Sequence, residues 1–134
     1  KFRLIGARGD KFVYDFFKNI KGLDVEIIDN LDWKNPKNTA MEIQKFDIGL
    51  MPLAKNEWNR AKYFKTLEYM ACGVVPIVSG FVANSEKEWA DKIKMILSDN
   101  KTRKTVGEFA RRHIAEHFSI KKRAEQLVDI IRKI

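Results

Sequence analysis

The 134-residue sequence has few of the residues on which several kinds of protein depend. It has one cysteine, Cys72, which excludes an internal disulfide framework, and its two histidines leave little for a zinc site. No apolar run approaches the roughly 18 residues that a membrane-spanning helix needs. Apolar residues nevertheless make up 45% of the chain and aromatic residues 11%, which is the composition of a folded domain.

The positive charge is concentrated at one end of the chain. The sequence has 26 basic and 18 acidic residues, a net charge of +8, and residues 101–134 supply +6 of it. The simplest interpretation is the solvated face of two amphipathic helices, and the alternative is a peripheral membrane contact. Nucleic acid is not expected as a partner, because no zinc-finger, helix-turn-helix or RNP-like signature accompanies the charge.

Strand and helix patterns alternate over the first 78 residues. Apolar runs predict strands at 2–6, 25–28, 47–53 and 74–78, and apolar spacing predicts helices at 11–20, 38–45 and 63–72, the last ended by Gly73. Three helices follow, from 86 to about 97, over 101–117 and over 120–134, with Ser85 capping the first and Ser119 the last. This order predicts an α/β fold with a Rossmann-like parallel sheet, helices on both faces and a helical C-terminal extension.

The most informative stretch runs from residue 47 to 79, where a buried strand leads into a polar loop and a helix. We expect the helix to begin near Tyr63 or Phe64, with Lys62 and Lys65 beside its first turn. A helix N-terminus has free N–H groups and a partial positive charge, so lysines there favour an anion such as a diphosphate. The carboxylate of Glu68, one turn further, can accept hydrogen bonds from both vicinal hydroxyls of a ribose.

The same residues also have simpler explanations. Lys62 and Lys65 can be ordinary surface lysines, and Glu68 can pair with Lys65 at i,i+3, which spacing alone favours. The predicted apolar face of this helix consists of Phe64, Leu67 and Ala71.

Cys72 and the two histidines are other candidates for chemistry. Cys72 is expected to be a small buried hydrophobe, since no histidine lies near it in sequence to activate it. His113 and His117 stand at i,i+4 and could hold a metal ion. No third ligand is evident in the sequence, so a solvated helix face is the favoured interpretation.

The central stretch resembles a known family of enzymes. Residues 65–73 and 75–79 read K-T-L-E-Y-M-A-C-G and V-P-I-V-S, similar to the K-x-x-E-Y-M-A-x-G-x-P-V-V-x-S segment of group 1 (family 4) retaining glycosyltransferases. The preceding D-I-G-L-M-P-L, residues 47–53, resembles that family's D-I-G-L-x-P-L strand. The resemblance extends to the start, residues 2–10, and to the helices over 88–119.

The resemblance implies the C-terminal, donor-binding lobe of a GT-B fold, formed by residues 1–134. Its partners would be a nucleotide-diphosphate sugar and an N-terminal acceptor lobe of the same protein, with no metal or cofactor required. The family's ribose-binding glutamate corresponds to Glu68, and its base-contacting region to Asp29 and Asn30; no catalytic residue is assigned. The helix-start residues that would lie at the donor phosphates are Phe64, Lys65, Thr66 and Leu67.

The chain departs from the family's pattern at three places. Where the family often has a glutamate, eight residues before Glu68, this chain has Arg60, which could add positive charge for the diphosphate. Ser79 runs directly into Gly80, where the family has roughly fifteen more residues, so a donor loop is deleted or, as we favour, is a mobile segment missing from this sequence. The family's first strand–helix unit and its acceptor lobe are expected to precede Lys1.

The sequence therefore predicts a glycosyltransferase lobe that transfers a glycosyl group to a hydroxyl acceptor with retained configuration and is inactive in isolation. Its expected location is the cytoplasm or the inner membrane surface. One alternative is a non-catalytic nucleotide-binding module, which Arg60 at the first motif position favours. The other is a basic membrane- or nucleic-acid-binding domain, which the charged tail favours.

Overall fold

The structure, a computed structural model, describes residues 1–6, 10–29, 31–32, 34–52, 60–79 and 84–133, with the main chain alone for 60–63. These residues form two compact units, Lys1–Glu42 and Ile43–Ile134. Their elements, in chain order, are β1 (Phe2–Ile5), α1 (Lys11–Asn19), β2 (Val25–Ile28), α2 (Pro36–Ile43), β3 (Ile48–Met51), α3 (Arg60–Ala71), β4 (Val75–Val78), α4 (Glu86–Ser98), α5 (Asn100–His117) and α6 (Ile120–Ile131).

The first unit is built on the parallel pair β1 and β2. The two strands run in register from Phe2 opposite Val25 to Ile5 opposite Ile28. The ring of Phe17 stacks on the ring of Phe2 with 5.3 Å between their centroids, and this contact packs α1 against β1. The carboxylate of Asp10 caps α1 by accepting a hydrogen bond from the main-chain N–H of Val13.

The second unit is built on β3 and β4, also a parallel pair, joined through α3. Gly49 of β3 lies opposite Pro76 of β4, and the pairing runs on to Met51 opposite Val78. The most buried side chain is Ile77, which is fully enclosed. The other buried apolar residues of this unit are Ile43, Met51, Val74, Val78 and Ala110. Parallel strands covered by helices are expected to be apolar throughout, as β3 and β4 are.

A close contact between Gly49 and Tyr69 sets the rotation of α3 on β3. A Cβ atom placed on Gly49 would lie 2.5 Å from Cγ and Cδ2 of Tyr69, so the tyrosine ring rests on the glycine main chain. The ring of Phe46 lies 6.4 Å from the same tyrosine ring. Glycine at position 49 therefore lets the helix approach the strand closely.

Arg103 connects α5 to the end of α4 and the start of β3. Its Nη2 donates to the carboxylate of Asp47 at 2.8 Å. Its Nη1 donates to the carbonyl oxygens of Ile96 at 3.2 Å and Leu97 at 3.3 Å. These carbonyls stand in the last turn of α4, where no further helical N–H is available. The Arg103 side chain is 16% exposed but that of Asp47 is 65% exposed, so water still reaches the ion pair.

Helix α5 packs against the C-terminal end of α3 at two glycines. Gly73 ends α3 with a φ of 75°, a left-handed conformation that favours glycine, as the sequence predicted. A Cβ atom on the buried Gly107 would overlap the carbonyl oxygen of Gly73. The two main chains therefore touch without an intervening side chain.

The predicted α/β class, with parallel strand pairs and a helical C-terminal extension, is confirmed. The described strands form two two-stranded sheets, and their union in one Rossmann-like sheet with helices on both faces stays a prediction. The predicted start of α3 is wrong, because the helix begins at Arg60. Residues 60–62 (Arg-Ala-Lys) are strong helix formers, and a prediction from the spacing of apolar residues does not take helix propensity into account. Similarly, α2 begins at Pro36, since proline is favoured at a first helical position.

Candidate functional site

The candidate anion site is the first turn of α3. The first four N–H groups of an α-helix have no partner within the helix, and in α3 these groups belong to residues 60–63. This turn contains Arg60 and Lys62 and no acidic residue. Basic residues at a helix N-terminus are unfavourable beside the positive end of the helix dipole, and a bound anion would offset that cost.

The four residues expected at the helix start lie further along α3. Phe64, Lys65, Thr66 and Leu67 are its fifth to eighth residues, so the prediction that they begin the helix is wrong. At 1.5 Å per residue, Lys65 is about 7.5 Å and Glu68 about 12 Å along the axis from Arg60. Because main-chain N–H groups at these positions donate within the helix, these residues can bind a ligand only through their side chains.

Lys65 and Glu68 form an ion pair on the surface of α3. The Lys65 Nζ lies 2.7 Å from the Glu68 Oε2, and the two side chains are 51% and 45% exposed. This is the i,i+3 surface pair that the simpler interpretation predicts. The carboxylate of Glu68 is accessible to a ligand, and its binding to ribose stays a prediction.

The exposed side of α3 includes an aromatic ring. Phe64 is 70% exposed and Ala71 is also exposed, while Leu67 is half-buried, so the apolar face predicted for these three residues is wrong. The contact of Tyr69 with Gly49 fixes a different rotation of the helix. Phe64 lies one turn before Glu68 on the same side, where its ring offers an apolar surface beside the carboxylate.

The charge of Glu68 also affects two neighbouring residues. Burial raises the pKa of Cys72, Glu68 raises it further, and Arg111 of α5 lowers it in part. Burial also raises the pKa of Tyr69, with a smaller contribution from Glu68. A high thiol pKa opposes a nucleophilic role for Cys72, which is half-buried. Sequence reasoning missed Arg111, because no local pattern relates α5 to the end of α3.

We expect iodoacetamide to alkylate Cys72 several-fold more slowly in the folded chain than in the urea-unfolded chain at about pH 8. Burial raises the thiol pKa and so lowers the reactive thiolate fraction. The Glu68→Ala variant should react faster than wild type when folded, since a negative charge beside the thiol is lost. A time course followed by mass spectrometry measures the alkylation rates of the single cysteine. Equal rates in the folded and unfolded chains would contradict the burial of the Cys72 thiol.

The other predicted site residues are only partly described. Asp29 directly follows β2 in the first unit and is half-buried. Asn30, the side chains of Arg60 and Lys62, and residues 80–83 beside the expected donor loop lie outside the described residues. The roles predicted for these positions therefore stay predictions.

Among the residues that the structure describes, no three His, Cys, Asp or Glu side chains form a group that could hold a metal ion. None of the described helices combines the length and the apolarity needed to cross a bilayer. Residues 120–133, which include α6, are exposed throughout, and the membrane contact predicted from the charge of the tail stays a prediction.

No family model, curated protein or solved structure matches this chain. The sequence motif and the geometry of α3 are therefore the features that bear on the function of this chain.

Proposed function

We propose that this chain is the donor-binding lobe of a retaining glycosyltransferase with the GT-B fold, and that it binds a nucleotide-diphosphate sugar on α3. The motif resemblance supports this proposal, because the matching residues occupy one β–α–β unit, β3–α3–β4, with parallel strands. In open α/β sheets, ligands bind outside the carboxyl ends of the strands. The residues that follow the carboxyl end of β3 in the chain lead to the first turn of α3.

The accessibility of the Glu68 carboxylate, which is 45% exposed beside Lys65, is the observation that carries the proposal. A ribose needs an accessible carboxylate and a diphosphate needs a cation near it, and both are present 2.7 Å apart. Among residues 64–71 of α3, Lys65 is the single basic residue, so it is the natural partner for phosphate next to Glu68. A buried Glu68 side chain would be inaccessible to a ribose and would argue against this function.

Donor binding would exchange the partners of this pair. The Lys65 ammonium would move from Glu68 to the diphosphate, and the freed carboxylate would accept hydrogen bonds from the two ribose hydroxyls. The N–H groups of residues 60–63 would add positive potential near the phosphates. Negative charge grows on the diphosphate as the sugar–phosphate bond breaks, and cationic groups placed beforehand stabilise that change. The acceptor would bind on the N-terminal lobe. The donor-binding lobe alone would therefore not catalyse glycosyl transfer.

The Lys65→Met variant should bind nucleoside diphosphates about fivefold more weakly, because an exposed charge contact contributes about 1 kcal/mol. Its affinity for the nucleoside alone should not fall, since the nucleoside has no phosphate. Lys122→Met is the matched control: Lys122 pairs with Glu125 at i,i+3 and 3.0 Å on α6, with similar exposure. Calorimetry with UDP, GDP and ADP measures these affinities. Equal losses in the two variants would indicate diffuse charge attraction and oppose a site on α3.

A non-catalytic nucleotide-binding module is the second candidate. It is favoured by Arg60, which stands where the family often has a glutamate, in the first turn of α3. Incubation of the full-length protein with nucleotide sugars separates the two functions. Transfer or hydrolysis of the donor supports the enzyme, and saturable binding without release of nucleoside diphosphate supports the module.

A further inference from the structure

Two histidines near the C-terminal end of α5 lie beside one cavity. His113 and His117 are one helical turn apart, their ring centroids are 4.6 Å apart and the rings are tilted by 49°. The cavity, of about 280 Å³, is lined by Phe109, Arg112, His113, Glu116 and His117. Neither histidine has a role in the proposed transferase function.

We propose that His113 and His117 chelate a divalent transition-metal ion such as Cu²⁺ or Zn²⁺, with water as the remaining ligands. An ion about 2.1 Å from one nitrogen of each imidazole lies about 3.2 Å from each ring centre. Ring centres 4.6 Å apart then subtend about 90° at the ion. Angles of this size occur in the coordination of these metals, for which imidazole is a favoured ligand.

The electrostatic surroundings of the two histidines are mixed. The Oε2 of Glu116 lies 3.9 Å from Nε2 of His117 and supplies a negative charge. Both histidines lie in or next to the last turn of α5, where the helix dipole presents its negative end. Arg112 lines the same cavity and opposes the cation.

The proposed site supplies only two protein ligands, so the bound ion would exchange readily with the solvent. Within the described part of the chain no third His, Cys, Asp or Glu completes a metal-binding group, so water must fill the remaining positions. Closed zinc sites use four protein ligands, and the affinity of this pair should lie well below theirs. A bound ion would tie together the last two turns of α5, just before the junction with α6.

Calorimetric titration of the chain, purified without a histidine tag, with CuCl₂ and with ZnCl₂ tests the proposal. We expect one ion per chain, with Cu²⁺ bound more tightly than Zn²⁺. His113→Gln and His117→Gln should each weaken Cu²⁺ binding about tenfold or more, because each removes one of the two protein ligands. The control Glu116→Gln should change it less than about threefold, because the Glu116 side chain is 67% exposed and is not a proposed ligand.

Three results would overturn the proposal. The first is no saturable binding by the wild-type chain. The second is a loss of affinity in one histidine variant alone, because a shared ion needs both rings. The third is undiminished binding in the His113→Gln/His117→Gln double variant, which would assign the ion to another group such as Cys72. Both substitutions are near the end of a helix, and circular dichroism checks that the variants stay folded.

Discussion

Gly107→Ala is expected to lower the free energy of unfolding by about 2–3 kcal/mol, although alanine is the better helix former. In an exposed helix this substitution would be stabilising by about 0.5–1 kcal/mol. Here the added methyl group would overlap the carbonyl oxygen of Gly73, which belongs to the main chain and cannot rotate away. Helix α5 must therefore shift away from the end of α3, and overpacking of this kind costs about 1–3 kcal/mol or more.

Urea unfolding followed by circular dichroism measures this effect. Glu108→Ala is the matched control, because Glu108 is the next residue of α5 and is exposed, so its truncation should change stability by less than about 0.5 kcal/mol. A Gly107→Ala variant as stable as wild type, or more stable, would show that α5 does not pack against Gly73 in solution.

Glu68→Ala is expected to weaken nucleoside-diphosphate binding at least about tenfold while leaving the fold intact. Hydrogen bonds to a charged group contribute about 1.5–3 kcal/mol each, and the variant loses those that the carboxylate accepts from ribose. The side chain is exposed on a helix, and its ion pair with Lys65 contributes only about 0.2–0.5 kcal/mol to stability. The loss should extend to the nucleoside alone, in contrast to Lys65→Met.

Glu125→Ala controls for the change in net charge. Glu125 pairs with Lys122 on α6 in the same i,i+3 arrangement, and the two side chains are 46% and 49% exposed. Removing either glutamate makes the chain more positive, which by itself favours an anionic ligand. Calorimetry should therefore show weaker binding for Glu68→Ala and equal or slightly stronger binding for Glu125→Ala. Unchanged affinity in Glu68→Ala would mean that Glu68 does not hold the ribose.

Features that depend on neighbouring residues could be predicted from the sequence. The Ser85 hydroxyl accepts a hydrogen bond from the N–H of Glu88 at the start of α4, and the Glu88 carboxylate accepts one from the N–H of Asn84. Ser119 caps α6 in the predicted way, and Gly73 ends α3. Each of these depends on residues within one turn of each other, whose pattern is visible in the sequence.

Features that depend on distant residues could not be predicted in this way. The rotation of α3 depends on the contact of Tyr69 with Gly49, and apolar spacing alone placed Phe64 on the buried side. The start of α3 depends on helix propensity, which a pattern of apolar residues does not contain. The candidate site was predicted in part. The Lys65–Glu68 ion pair follows from i,i+3 spacing, whereas the lowering of the Cys72 pKa by Arg111 depends on the packing of α5 against α3.

The binding of a sugar donor's diphosphate and ribose on α3 can be tested residue by residue. The decisive measurement is a titration of the ¹⁵N-labelled chain with a nucleoside diphosphate, followed by two-dimensional NMR of the main-chain amides. We expect the largest shifts at residues 60–63, Lys65 and Glu68. These shifts should saturate, and the response at position 68 should be lost in Glu68→Ala. Shifts confined to the basic residues of α5 and α6 would show that the nucleotide does not bind on α3. The absence of any shift at nucleotide concentrations up to millimolar would oppose the proposed binding as well.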